Sequence, residues 1–457
     1  MQMQSLKALS VLRSEHLKWF SESKSTDQST EDVVSITDAM SVRFLGGANE
    51  VGRSAIAVKG GGSQILVDYG VMMEHEPGFP MHVPANEVNG IVLTHAHLDH
   101  SGAIPIFHIQ SRIPVYTTKL TAELSRLLIA DFIHLSGYFL PFEFLDLEKM
   151  MESCVYLDHR APAKIGELTI QLFESGHIPG GVQCLVECKN KRLLYTSDFN
   201  TQPTRLLRGA DQDVGKVDCL IMEATYADAD HADRKTMEDR FMTRANEIVE
   251  SGGTVLVPAF SVGRSQEILC VLAAHNFEHS VTIDGMAEDA SEIMMSNLGF
   301  VKDSKLFMDA MHMANWVGGW KDRRRAVKKP GVIVSPAGML KGGNAIFYMN
   351  SVARRPENAI FLVSYQVPES PGRGLLETRR FIIGGKMRQV GAIVEHFEFS
   401  SHCGRTQLLE TAKRFGGDAK IFIMHGAEGN CSRLAEEIKK EIGVDAVAPK
   451  AGETFQV

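Results

Sequence analysis

Thr94-His95-Ala96-His97-Leu98-Asp99-His100-Ser101-Gly102 closes the apolar run at residues 90–94, and it decides how the rest of the chain is read. In extended backbone alternate side chains point the same way, so His95, His97 and Asp99 are expected to converge on one side, with His100 turning in beside them. Three imidazoles and a carboxylate in one loop suit zinc, whose borderline softness favours nitrogen and tolerates oxygen. The bland alternative, four solvated loop residues, is disfavoured by the specificity of the spacing.

Three more candidate ligands stand at the same kind of place, the carboxyl end of an apolar run. His177 follows residues 168–173, Asp198 follows 192–196 and His425 follows 421–424. Each alone reads more readily as a capping or core polar residue, a reading that loses most of its weight beside the 95–100 loop. Asp68 ends the run Ile65-Leu66-Val67 in the same manner.

Working outward, short β-rich runs separated by glycines predict adjacent strands at residues 41–45, 54–58 and 64–67. Strands at 90–94 and 114–117, a helix at 120–136, and strands at 168–173, 182–187 and 192–196 follow, the last two joined by a Lys189-Asn190 turn of hairpin type. After the run 217–222, helices at 236–250, 263–273, 288–298 and 345–352 alternate with strands at 254–258, 281–284, 332–335 and 360–364. That alternation predicts a parallel, doubly wound sheet of its own. The final part carries strands at 394–399 and 421–424 and helices at 407–415 and 431–442.

The chain has 457 residues, more than one compact core holds, and its 44% hydrophobic and 23% charged residues are ordinary for a folded protein. A net charge of -8 excludes a protein that grips nucleic acid over its whole surface, so any such site is local. The candidate is Lys321-Asp322-Arg323-Arg324-Arg325-Ala326-Val327-Lys328-Lys329, following Trp316 and Trp320. A solvated helix face and a phosphate-binding patch stand as equal readings of it. Seven cysteines, odd in number and without a CxxC pair, argue against a disulfide framework or a zinc knuckle and fit a reducing cytosol, so a cytoplasmic location is expected. Residues 1–39, polar from residue 21 onward, are expected to form a flexible extension, with Met40 opening the fold. No stretch approaches the ~18 apolar residues of a membrane span.

His95, His97, Asp99 and His100 match an HxHxDH signature in full, and from Ser41 to Val457 the chain resembles the metallo-β-lactamase superfamily. The resemblance implies an αββα sandwich holding two Zn2+: one on His95, His97 and His177, another on Asp99, His100 and His425, with Asp198 bridging. Asp68 matches the family's early acidic motif and is given an orienting role, because metal-bound imidazoles donate their other nitrogen to such groups.

Further matches narrow the family. Glu223-Ala224-Thr225-Tyr226 resembles motif A of the β-CASP nucleases, Phe399-Ser400-Ser401-His402-Cys403-Gly404 their motif B, and Met424-His425-Gly426 their motif C. A β-CASP domain at residues 228–393 is then implied, inserted between metallo-β-lactamase segments at 40–227 and 394–457. Asp99, Glu223 and His402 become the catalytic residues. His402 is the implied general acid on the leaving oxygen, with Glu223 orienting it; histidine suits the task because its ordinary pKa lies near neutrality. A histidine at motif C looks like the RNA-cleaving branch. The segments Val257 to Glu267 and Ser335 to Met339 resemble family segments and offer Ser261, Gly263, Arg264 and Gly338 as phosphate contacts. Arg373 joins them from Ser364 to Arg373, where Tyr365, Gly372 and Arg373 keep a common GYxxEGTxGR pattern and the turn between them departs from it.

The implied function is zinc-dependent hydrolysis of phosphodiester bonds in single-stranded RNA, internally, from the 5′ end, or both, by attack of a metal-activated hydroxide. The chain is similar to the archaeal group related to the nuclease subunit of the cleavage and polyadenylation specificity factor, and to RNase J. A homodimer or an RNA-processing complex is the expected setting. Two other readings compete. A di-zinc hydrolase of a small thioester or lactone has no need of the long insertion or of motifs A and B, and a non-catalytic scaffold subunit would not keep all seven candidate ligands.

Overall fold

In the computed structural model, which describes residues 39–457 except Glu74, His75 and Pro368, strand pairing builds three large sheets and one separate hairpin. The extension expected at residues 1–39 lies outside the described residues apart from Ala39. The first sheet has seven strands in the order Thr454–Gln456, Ser41–Gly46, Ala55–Gly60, Ser63–Val67, Gly90–Val92, Val115–Thr117, Cys154–Tyr156. The second also has seven: Ala446–Val447, Lys420–Met424, Cys219–Glu223, Lys191–Tyr195, Val182–Cys188, Leu168–Glu174, Ala163–Ile165.

Side-chain alternation stacks these two sheets face to face. Along Val182–Cys188 the residues Val182, Cys184, Val186 and Cys188 point into one core with Phe44, Val58 and Ile65 of the first sheet, while Leu185 points the other way, with Leu194 and Leu220. The outer face of the second sheet is covered by helices Arg405–Gly416 and Asn430–Glu441 through Leu408, Ala412, Leu434 and Ile438. That of the first is covered by Lys119–Ser136 and Phe144–Glu152 through Ile129, Phe132, Leu147 and Met150. The result is the αββα sandwich.

The third sheet contains six parallel strands in the order Asn315–Trp316, Val281–Ile283, Gly331–Ser335, Thr254–Pro258, Ala359–Leu362, Ile393–His396. Its central strands are buried on both faces and therefore read as continuous apolar runs. Val255 and Val257 pack with Phe241, Ile268 and Phe307 on one side, and Leu256 packs with Tyr348, Met349 and Leu375 on the other. The strand expected at 394–399 ends at His396 and pairs with Ala359–Leu362, so this sheet runs past the boundary drawn at residue 393. Hydrophobic pattern marks a strand, but only tertiary pairing assigns its sheet. Among the described residues no helix is long and apolar enough to cross a membrane.

Candidate metal centre and active site

Every candidate ligand leaves the sandwich at one edge. Strands Ser63–Val67 and Gly90–Val92 run parallel, as do Lys191–Tyr195, Cys219–Glu223 and Lys420–Met424, and their carboxyl ends deliver Asp68, the 94–100 loop, Asp198, Glu223 and His425. Leu168–Glu174 shares that direction through two antiparallel steps and delivers His177. Asp68, Ser197 and His425 have φ of 58°, 52° and 49°, a left-handed conformation uncommon outside glycine that turns the chain sharply at the strand ends.

The extended backbone expected from His95 to Asp99 is not what forms. The strand stops at Val92, and Leu98–Ser101 is a short helix preceded by His97. Tertiary hydrogen bonds win there: Ser54 N donates to Asp99 O (2.8 Å) and Tyr69 N to His100 O (2.9 Å). His95 and His97 still point together, whereas the turn into the helix carries Asp99 and His100 to a second group.

Two clusters result, each with its ligand atoms within 4.8 Å of one another: His95, His97, His177 and Asp198, then Asp99, His100, Asp198 and His425. Asp198 belongs to both and divides its oxygens between them. Its Oδ2 is 3.7 Å from His95 Nε2 and from His177 Nε2, and its Oδ1 is 3.5 Å from His100 Nε2 and 2.8 Å from His425 Nδ1. His177 Nε2 lies 3.1 Å from His97 Nδ1, and His425 Nε2 3.3 Å from Asp99 Oδ2. His95 Nε2 and His100 Nε2 are buried without a hydrogen-bond partner, and Asp198 Oδ1 and His425 Nδ1, though 2.8 Å apart, meet without hydrogen-bond geometry. An unpaired buried polar atom costs about 1–3 kcal/mol, so four converging on one pocket fit an arrangement completed by cations.

The far sides of the rings are held. His100 Nδ1 meets Asp68 Oδ2 at 2.7 Å, and Asp68 also accepts from Thr94 N (2.8 Å) and Thr94 Oγ1 (2.7 Å). His95 Nδ1 faces Ser197 Oγ at 3.2 Å, and His177 Nδ1 faces the Ser401 carbonyl at 3.0 Å. Such contacts fix ring orientation and leave the opposite nitrogen for a metal. Burial pushes His95 and His177 well below the usual imidazole range, favouring the neutral form that ligates. Burial opposes charge on His100 too, but Asp198 and Asp68 outweigh it and raise its pKa to about 10. That carboxylate field would equally favour a divalent cation.

Next to the clusters, His402 Nδ1 lies 2.8 Å from Glu223 Oε1. Glu223 is 1% exposed and also accepts from Phe199 N and Thr225 N, each at 3.2 Å. Burial works against protonated His402, yet the Glu223 carboxylate outweighs it and raises the pKa above the ordinary value. Asp198, Glu223 and His402 form a third compact group. His402 opens onto a cleft shared with His97, His177, Tyr226, Phe260, Arg264 and Tyr365. The neighbouring Cys403 is fully buried, which pushes its thiol far above the nucleophilic range.

The residues expected to meet phosphate separate into two sets. Gly263 (φ 84°) starts the helix Arg264–Ala274, and a Cβ there would sit 2.8 Å from Ile178 beside His177. Arg264 donates to Ser401 Oγ at 3.2 Å and lines the cavity. Ser261 lies in the loop between Phe260 and Gly263, and its carbonyl accepts from Gln266 Nε2. A Cβ on Gly338 would come within 3.1 Å of Phe260 N and 2.9 Å of Ser364 Oγ, so this loop roofs the same edge. Arg373, by contrast, is ion-paired with Glu377 on the exposed side of helix Pro371–Thr378 and is not among the cavity's lining residues. The altered turn after Tyr365 is filled by Gln366, whose Nε2 donates to Gly338 O and Ser364 O.

Sequence reasoning missed the supporting polar residues. Thr94 Oγ1 is 2.7 Å from Ser197 Oγ, and His231 bridges Glu398 (2.9 Å) to the carbonyl of His402 (3.0 Å). None follows a spacing rule; His231 directly follows the acidic loop residues Asp228 and Asp230, and only its partners across the fold reveal it.

Comparisons with known proteins agree with this geometry. Residues 58–225 match the metallo-beta-lactamase superfamily domain, 265–375 the Beta-Casp domain and 388–449 the Zn-dependent metallo-hydrolase RNA specificity domain. The chain is 42% identical to "RNase aCSPSF2" of Saccharolobus solfataricus, over 91% of this chain and 85% of that one. It is 34% identical to "Probable RNase MJ4" of Methanocaldococcus jannaschii, over 92% and 100%. With "Transcription termination factor FttA" of Methanothermobacter thermautotrophicus it shares 30% identity over 90% of this chain and 71% of that one. Among solved structures, a protein of unknown function from Enterococcus faecalis superposes with a TM-score of 0.58 at 14% identity, covering 92% of this chain and all of that one, a likeness of fold alone.

Proposed function

This chain belongs to the Beta-Casp ribonucleases of the metallo-β-lactamase superfamily, and from that premise we propose that it holds two zinc ions and hydrolyses phosphodiester bonds of single-stranded RNA. The observation that carries the reading is Asp198, whose two carboxylate oxygens address two histidine-rich groups separately. His95, His97 and His177 would hold one ion, Asp99, His100 and His425 the other, and Asp198 both. Bound zinc supplies Lewis acidity and offsets negative charge on the phosphoryl oxygens of the transition state.

The chain's own groups supply the rest. With Nδ1 occupied by Glu223, His402 presents Nε2 to the cavity and gives its proton to the leaving oxygen. Glu223 keeps that ring charged and aligned. The guanidinium of Arg264, which donates to the Ser401 hydroxyl and keeps its buried Nε without a hydrogen-bond partner, faces the cavity as a phosphate contact. Residues 40–227 and the segment after His396 would form the metal-holding fold, and the RNA-holding insertion would run from 228 through the strand Ile393–His396. Seven unpaired cysteines favour the reducing cytosol, where a homodimer or an RNA-processing complex would act.

The test is RNA labelled at either end, bearing a 5′-monophosphate or a 5′-triphosphate, incubated with the zinc-loaded protein. Product lengths over time separate internal cutting from digestion that starts at the 5′ end. A protein that leaves every RNA intact while hydrolysing a thioester or lactone would be the small-substrate enzyme instead.

A further inference from the structure

Parallel α/β sheets bind ligands at the carboxyl ends of their strands, and the six-stranded sheet turns that edge toward the catalytic cavity. Thr254–Pro258 leads to Phe260 and Ala359–Leu362 leads to Tyr365, both lining the cavity. The same edge continues beyond them through the strands Gly331–Ser335 and Val281–Ile283 to Asn315–Trp316. That is three strand spacings from Thr254–Pro258, about 14 Å at ~4.8 Å each. There the chain enters helix Trp320–Ala326; residues 320–329, the helix and the three residues after it, carry six basic side chains and one acidic.

Two features set this helix apart from an ordinary solvated face. It is nailed down: Asp284, fully buried at the end of Val281–Ile283, accepts Arg323 Nε (2.8 Å) and Nη2 (3.0 Å), Asn344 Nδ2 (3.0 Å) and Tyr348 OH (2.7 Å). Asn344 closes the loop that begins at Pro336, the loop whose Gly338 lies over Phe260. Helix and cavity therefore share one connected edge. It also displays Trp320, 61% exposed, its ring held from below by Phe347 (centroids 5.3 Å apart) and by the Arg323 guanidinium (5.2 Å). Around it Lys321, Arg324, Arg325, Lys328 and Lys329 are exposed, with Arg325 shared by Asp322. A fixed aromatic ring among an excess of exposed cations on a chain of net charge -8 is the arrangement that stacks a base and neutralises phosphates.

We propose that Trp320 and the basic residues around it form a second RNA-binding surface, which holds single-stranded RNA extending along the sheet edge from the catalytic cavity. The inference rests on the ribonuclease reading, and adds to it a contact outside the metal fold that long substrates reach and short ones do not.

The experiment compares zinc-loaded wild type with Trp320→Ala, Lys328→Ala/Lys329→Ala, and a charge-matched control, Lys413→Ala/Arg414→Ala, on helix Arg405–Gly416. Binding of a long single-stranded RNA is read by fluorescence anisotropy across a salt series; hydrolysis is read on that RNA, on a dinucleotide and on bis(4-nitrophenyl) phosphate. Trp320→Ala should weaken long-RNA binding roughly five- to a hundredfold, the loss of one base–aromatic stack. Lys328→Ala/Lys329→Ala should reduce the slope of log K against log salt by about 1.4, at ~0.7 per phosphate contact. The control should keep the wild-type slope, and all variants should hydrolyse the two small diesters at the wild-type rate. Long-RNA binding unchanged in both patch variants, while wild type still cleaves RNA, overturns the surface and spares the ribonuclease reading. An equal fall in slope for the control overturns it as a mere net-charge effect. A wild type that neither binds nor cleaves any RNA brings down both.

Discussion

Replacing Glu223 with glutamine keeps the side chain's shape and removes its charge, which makes it a sharp probe of His402. In the native protein Oε1 lies 2.8 Å from His402 Nδ1 and accepts Phe199 N, while Oε2 accepts Thr225 N. Glutamine satisfies the first pair through its oxygen but then turns its NH2 toward the Thr225 N–H, two donors face to face in a buried place. The cost in stability is about 1–3 kcal/mol. The effect on His402 has a definite sign. Burial lowers its pKa, and the Glu223 carboxylate is the largest of the influences that raise it. Exchanging a charge-assisted bond for a neutral one forfeits about 1–2 kcal/mol of preference for the imidazolium, or roughly one pKa unit at 1.36 kcal/mol each. If protonated His402 is the acid, activity is lost as pH rises through its pKa, so the alkaline limb of the pH–rate profile should move down by about one unit. Well above that limb the variant is about tenfold slower than wild type, and well below it the gap narrows. The assay is cleavage of a labelled RNA between pH 5.5 and 9.5, with metal content measured on the same samples. An alkaline limb that stays in place with full metal occupancy refutes the proton-donor role.

Other consequences follow from the same contacts. Asp68→Asn keeps the volume but offers one acceptor where Thr94 N, Thr94 Oγ1 and His100 Nδ1 need two; zinc affinity, measured by chelator competition, should fall about 10- to 100-fold, and an unchanged affinity would discount the orienting role. Gly70→Ala places a Cβ 1.8 Å from the carbonyl oxygen of Asp99 and 2.5 Å from His100 N, backbone atoms that cannot rotate away. It should lose about 3 kcal/mol or more of stability together with zinc from the second group, and a normal melting temperature would contradict this. Burial raises Glu174 to about 7, so between the ordinary carboxyl range and pH 7 the folded state binds the extra proton and stability falls as pH rises. Glu174→Gln removes that slope and should gain on the order of 1–2 kcal/mol at pH 8 but little at pH 4.5; urea melts showing equal gains at both would refute the assignment.

What could be read from the chain, and what could not, divides along physical lines. His95, His97, Asp99 and His100 announce themselves because metal ligation needs rare residue types at close spacing, and His177, Asp198 and His425 because each ends an apolar run. The inserted sheet was legible for a similar reason: strands buried on both faces lose alternation and become plain apolar runs between helices. The local path of the metal loop was not. Periodicity extends the strand through Asp99, whereas backbone hydrogen bonds from Ser54 and Tyr69, residues roughly 30 to 45 positions earlier, fold it into a helical turn. Thr94, Ser197, Ser401 and His231 stayed hidden because each acts through partners far along the chain. The His177–Ser401 contact spans 224 positions, a relation that composition and spacing do not encode.

The place of the insertion brings Glu223 and His402 together beside the cavity, where the proposed reading puts catalysis next to RNA. Cys219–Glu223 and Lys420–Met424 are parallel neighbours in register, Glu223 opposite Met424, and parallel neighbours require a crossover connection. Here the crossover is the entire six-stranded domain. It leaves the sandwich immediately after Glu223 and returns through His402, so the carboxylate and the imidazole of the acid pair stand at its two doorposts. The doorposts are braced from the sandwich side: Tyr226 bridges Gly404, Ala224 N donates to His425 O, and Cys403 N donates to Phe199 O. Glu223 takes its other two bonds from Phe199 and Thr225, again in the sandwich and its margin. Under the proposed mechanism the sandwich would fix the geometry of proton transfer, while the insertion supplies Phe260, Arg264 and Tyr365 to the same cavity. On the proposed reading, an insertion placed between Glu223 and His402 could vary in its RNA contacts without displacing either residue or the clusters behind them.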